Sequence, residues 1–183
     1  MTQQIQSELH APGSIGTTQL ADAAVTPAKL AQPLTQGSAQ AATSGTAKDF
    51  TGIPSWVKRI TVMFNGVSTS GTSNIQMQIG TSSGFETTGY SSTGWDSTIA
   101  TSTTGFLVSG SVAAANVRSG AMVLTNLGGN TWVNAGVLCR TDVGTGAHAS
   151  GTKTLAGTLD RIRITTVNGT DTFDAGSINI LYE

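Results

Sequence analysis

Residues 154–183, TLAGTLDRIRITTVNGTDTFDAGSINILYE, decide the fold class. Ile162 and Ile164 alternate with Arg161, Arg163 and Thr165. Ile178, Ile180 and Tyr182 alternate with Ser177, Asn179 and Leu181. Successive side chains of a strand point to opposite faces, so a period of two predicts two half-buried strands. Asn168-Gly169-Thr170-Asp171 lies between them. That cluster of turn formers predicts a hairpin. The last strand is expected to be core scaffold.

The pattern continues toward the N-terminus. Phe50 and Trp56 flank the turn Gly52-Ile53-Pro54. Ile60, Val62 and Phe64 share one face of a strand over 57–67, and Ile75, Met77 and Ile79 alternate with Gln76 and Gln78. Shorter strands are expected at 106–108, 121–127 and 131–140, with Gly128-Gly129-Asn130 turning between the last two. Short strands separated by turn clusters predict an all-β fold. The expected architecture is an antiparallel, jelly-roll-like β-sandwich over residues 49–183. Two segments rich in Gly, Ser and Thr, 80–104 and 141–153, read as loops. The first carries Phe85, Tyr90 and Trp95. Long segments without periodicity are usually functional or mobile.

Composition agrees with strands. Ser and Thr supply 49 of the 183 residues and Gly another 23, while charged residues are only 10%. A typical domain carries about 25% charged residues, so the expected surface is neutral and hydroxyl-rich. Nine basic residues spread along the chain give a net charge of −1. Nucleic-acid binding needs a Lys/Arg patch that displaces counterions, and none is visible. Nor is there an apolar run long enough for a membrane-spanning helix. The polar start, Met1-Thr2-Gln3-Gln4, lacks a secretory pattern. Synthesis in a cytoplasm is expected, with any work outside the cell following release by another route.

Residues 1–34 are of another kind. Ile15, Leu20, Val25 and Leu30 recur every five residues within a weak repeat. That spacing suits neither a continuous helix nor a strand. Short turns are expected, with Thr26 capping one that has Pro27 at its first position. Such a segment cannot bury its own apolar residues. It therefore reads as an attachment and oligomerisation segment, carried by those four residues. Residues 35–48, TQGSAQAATSGTAK, have linker composition.

The reactive inventory is thin. His10 stands in the N-terminal segment and His148 in a Gly/Ser-rich stretch, and the lone Cys139 reads as a small buried hydrophobe. No nucleophile elbow, phosphate loop, HExxH or CxxC occurs. Glu86 and Asp96 could form a glycosidase-like pair. Beside Tyr90 and Trp95, however, they fit saccharide or receptor contact better than cleavage, while packing of those aromatics between subunits is the plainer reading of the segment. Tyr90, Trp95 and Asp96 are thus the candidate receptor-binding residues. Asn168, Asp171 and Asp174 have oxygens at a spacing that could hold Ca²⁺, although turn formation explains the same residues without a metal. No metal or cofactor is expected.

Three stretches carry a family likeness. GSIGTTQLADAAVTPAKLAQ (13–32) resembles segments near the start of phage tail fibres and related virion appendages, where units of the type T-x-K-L-A-D-x-A-V-T recur. DFTGIPSWVKRITVMFNGVSTSGTSNIQMQIGT (49–81) and LDRIRITTVNGTDTFDAGSINILYE (159–183) resemble a β-domain common in phage structural proteins. The resemblance implies a non-enzymatic homotrimer located in the virion. Its N-terminal segment would bind other virion proteins of the tail or capsid. Its β-domain would project toward a host-surface polysaccharide or receptor. Only the short 35–48 linker stands where a fibre would carry a long shaft. A tip subunit, a head fibre or a capsid decoration protein is therefore the alternative.

Overall fold

The computed structural model describes residues 25–26, 29–114 and 116–183. The chain divides into two compact units, Met1–Pro33 and Leu34–Glu183. In the first, the Lys29 N–H donates to the Thr26 carbonyl at 2.8 Å, a turn at the position where the sequence predicts one. Val25 and Leu30 are about half exposed. The other attachment candidates, Ile15 and Leu20, lie outside the described residues.

The second unit is the expected all-β, antiparallel sandwich. Its strands are numbered in chain order. The larger sheet runs β1 (Thr35–Gln36), β14 (Phe173–Tyr182), β4 (Arg59–Thr69), β10 (Arg118–Gly128), β11 (Thr131–Arg140), β12 (Thr145–Thr154), β7 (Tyr90–Trp95), β8 (Ile99–Ser102). A short β2 (Gln40–Ala41) also pairs with β14. The smaller sheet runs β3 (Ala47–Thr51), β13 (Arg161–Thr166), β5 (Ile75–Thr81), β6 (Gly84–Phe85), with β9 (Phe106–Leu107) also on β5. Every pairing is antiparallel.

The alternating residues face each other across one core. Ile60, Val62 and Phe64 of β4, Met122 and Leu124 of β10, and Ile178 and Ile180 of β14 come from the larger sheet. They meet Met77 and Ile79 of β5 and Ile162 and Ile164 of β13. Each such side chain contributes about 1.5–3 kcal/mol by leaving water.

Three expectations are corrected. The closing stretch is not a hairpin: β13 pairs with β3 and β5, and β14 with β1, β2 and β4. The 168–171 turn carries the chain from one sheet to the other. Alternation shows that Ile162 and Ile178 both seek a core, but not whether they lie side by side or face to face.

Residues 35–48 are not a linker. Thr35 and Gln36 pair with Tyr182 and Leu181, and Gln40 and Ala41 pair with Ile178 and Ser177, while Ala47 and Lys48 open β3. They cover an edge of β14 that would otherwise expose unpaired backbone.

Residues 80–104 and 141–153 are not mainly loops. They supply β6, β7, β8 and most of β12. Their inward positions are Tyr90, Ser92 and Gly94 on β7 and Ala147, Ala149, Gly151 and Lys153 on β12, so little apolar contrast marks the alternation.

Candidate binding face

Strand β7 sorts the three expected receptor-binding residues. Tyr90 points inward, 3% exposed, and packs edge-on against Phe106 with ring centroids 5.0 Å apart. Its hydroxyl accepts from the Ile79 N–H at 2.8 Å and lies 2.8 Å from the Glu86 carbonyl, to which it donates. Burial pushes the phenol well above its ordinary value. Tyr90 thus joins the two sheets and is not a surface contact.

Asp96 is withdrawn as well, its side chain only 2% exposed. It accepts from the Ser111 hydroxyl at 2.8 Å, the Ser111 N–H at 3.2 Å and the Thr98 N–H at 3.2 Å. Arg118 lies 3.4 Å away and is fully buried. Burial pushes the Asp96 carboxyl upward. The bonds from Ser111 and Thr98 and the Arg118 charge outweigh it, and the carboxyl sits below its ordinary value. Arg118 also donates to the Ser111 carbonyl. This network fastens 109–111 beneath β7. Gly94 and Gly110 permit the approach, because a Cβ on Gly94 would run into the Ser109 carbonyl and one on Gly110 into that of Thr98.

Trp95 alone of the three reaches the surface. It is 52% exposed and stacks on His148, centroids 5.6 Å apart and planes 25° from parallel. The pairing register explains the contact: Trp95 lies opposite His148 on β12 and Ile99 on β8, and His148 lies opposite Val137 on β11. Val137, His148, Trp95 and Ile99 therefore form one row across four strands. The next row is Ala135, Ser150, Thr93 and Thr101, followed by Val133, Thr152 and Ser91. These rows contain no Asp, Glu, Lys or Arg. The outer surface here is an aromatic and aliphatic strip beside rows of hydroxyls.

Cys139 also lies on this outer side and is exposed, against the expectation of burial. Trp132 and Leu138 of β11 face the core, so Cys139 is turned outward by parity. It is opposite Gly146, making His148 a diagonal neighbour roughly 7 Å away and beyond hydrogen-bond reach.

Elsewhere Glu86, Asp171 and Asp174 each have their own partners. Glu86 accepts from Lys153 at 2.6 Å and from the Ala156 N–H at 2.8 Å. Burial raises its pKa and these two partners together bring it below the ordinary value. It borders a cleft of about 560 Å³ lined by Thr81, Ser82, Phe85 and Gly157. Asp171 accepts from the Asn168 amide at 2.7 Å and the Ser73 N–H at 2.9 Å, and Asp174 accepts from Ser68. The Asp171 oxygens brace the 168–171 turn, and Asp174 ties β14 to β4. Among the described residues no three of His, Cys, Asp and Glu gather as a metal site would require. No helix among them is long and apolar enough to cross a membrane.

No protein-family model matches the chain, and neither a curated protein nor a solved structure shows significant similarity to it.

Proposed function

We propose that this chain is a structural component of a bacteriophage virion, a trimeric tail-fibre-like protein. Its N-terminal segment attaches it to other virion proteins, and its β-unit adsorbs to the host surface. The observation that carries the adsorbing role is the exposed Trp95–His148 stack on an uncharged, hydroxyl-lined sheet face. An aromatic plane beside hydroxyl rows suits a sugar ring, whose C–H face stacks while its hydroxyls exchange hydrogen bonds. Proteins seldom leave large apolar groups contiguous at the surface without a contact to make. The repeat at 13–32 supports the attachment role through its resemblance to virion appendages. Glu86 and Asp96 are each held by a cation and a main-chain amide, which favours binding over glycoside hydrolysis.

The test is adsorption of particles carrying Trp95→Ala with His148→Ala. Slower adsorption with normal particle assembly supports the reading, and an unchanged rate removes the host contact from this face. Chain lacking residues 1–34 is expected to fold and to stay out of particles. Copy number separates the alternative: a few copies at one vertex mean a tail mounting, many over the shell a capsid decoration protein or head fibre.

A further inference from the structure

The uncharged surface continues beyond the Trp95 strip and changes character. Across β12, β7 and β8 the outward residues are largely Ser, Thr, His and Trp. Across the middle of β14, β4, β10 and β11 they become mostly aliphatic. Leu181, Thr61, Val123 and Ala135 form one row, and Asn179, Met63, Ala121 and Val137 the next, with Val133 beside them. Val137 is 58% exposed and Val133 39%. We propose that this aliphatic half is where further copies of the same chain dock, each through the same face.

Charge placement supports a copy as the occupant. The two aliphatic rows hold no formal charge, although the chain has nine basic and ten acidic residues. The charges at the two ends of the patch are already paired with each other. Arg59 meets Glu183 at 3.0 Å at one end, and Arg140 meets Asp142 at 2.6 Å at the other. A charged partner would find no counter-charge here and would lose hydration without compensation. The outward face of the smaller sheet, with Asp49, Arg161 and Arg163, would suffer the same loss if it docked here. The aliphatic face of another copy loses nothing of the kind, and like meets like without repulsion.

Size agrees. Flanked by the row Arg59, Thr125 and Val133 and by the pair Ser119 and Cys139, the two aliphatic rows become four. With strands about 4.8 Å apart and rows about 6.8 Å apart, the footprint is on the order of 500 Å². Two copies then bury about 1,000 Å², the lower bound of a specific interface. Flat faces of this kind can pair back to back or close around an axis as a prism, leaving the Trp95 half outward. The inference rests on this face and not on the virion reading. It places subunit contact in the β-unit, whereas the sequence places it at Ile15, Leu20, Val25 and Leu30.

Sedimentation of the full chain over a range of concentrations tests it. Association to a dimer or trimer is expected, with Val137→Glu raising the dissociation constant at least about tenfold, because a buried unpaired carboxylate is strongly disfavoured. Val137→Ile should associate as the parent does. Circular dichroism of the Val137→Glu chain should remain that of the folded protein. Should that variant fail to fold, the parent's own Cys139 provides a second reading. Its alkylation by a maleimide is expected to slow as concentration rises through the association midpoint. A chain that stays monomeric throughout, a folded Val137→Glu chain that associates normally, or a Cys139 that reacts equally fast in the oligomer would each overturn the proposal.

Discussion

On the smaller sheet the outward residues include Asp49, Arg161, Arg163, Gln76 and Gln78. On the larger they include Val123, Val137, Ser150, Thr93 and Trp95. Both sets follow from the same alternation, yet the chain finishes the two faces differently. The smaller face is closed by its own sequence. Gln78 donates to the Thr104 carbonyl at 3.0 Å, the Thr104 hydroxyl donates to Gln76 at 3.0 Å, and both glutamines are buried. Arg163 holds Asp49 through two bonds of 2.7 Å and lies 4.2 Å over the Phe85 ring. The larger face has no such cover, and its middle rows carry no charge to keep them wet. A face completed within the chain serves stability. A face left open and neutral is available to something else.

That difference makes distinct demands on substitutions. The largest effect is expected in the anchor beneath the open face. Arg118→Met leaves the Asp96 carboxylate buried without its cation and should destabilise by about 3–5 kcal/mol, read by guanidinium unfolding. A loss below about 1 kcal/mol would mean that the Ser111 and Thr98 donors suffice without the cation. Tyr90→Ala and Trp95→Ala then divide a single strand. The first empties a core position and should cost about 3–5 kcal/mol, whereas the second should change stability by no more than about 0.5 kcal/mol. Equal losses would break the distinction between the two sides of β7. Gly94→Ala is expected to cost about 1–3 kcal/mol through collision with the Ser109 carbonyl. On the closed face the effect is also small: Asp49→Ala removes a partly exposed ion pair worth about 0.5–1 kcal/mol, less at high salt.

Acid gives the anchor a signature of its own. The Asp96 carboxyl titrates lower in the folded chain than in the unfolded one. Its ionised form thus stabilises the fold above the unfolded value, and that contribution is lost as pH falls through the folded value. Asp96→Asn should be less stable than the parent near neutrality and lose less on acidification. Parallel pH profiles for the two chains would remove Asp96 from the account.

How much of this was legible in the sequence depended on contrast between neighbouring residues. Ile60, Val62 and Phe64, or Ile75, Met77 and Ile79, stand out against their polar neighbours and announce both strand and core. Strand β12 alternates Ala147, Ala149 and Gly151 with His148, Ser150 and Thr152. Small against polar reads as a loop, although the backbone makes ten paired positions with β11. Its inward residues are small because β7 and the 104–111 segment come close. The lost contrast is itself a trace of tight approach. Trp95 was identifiable as a surface candidate from the sequence, but its stack with His148 depends on a register linking residues 53 apart in the chain. Tyr90 and Asp96 were misplaced for a related reason. Read as a loop, the segment suggested that all three residues pointed outward, whereas a strand followed by a turn sends both of these toward the interior.

The short pairings of residues 35–41 also matter when the unit is pulled. A load arriving at residue 34 falls first on Thr35 and Gln36 against Tyr182 and Leu181, then on Gln40 and Ala41 against Ile178 and Ser177. It reaches the longer β3–β13 ladder only afterwards. Two weak couplings thus stand in series ahead of the sandwich. Under tension they would yield one after the other, each lengthening the connection by a few residues before the β3–β13 ladder bears the load.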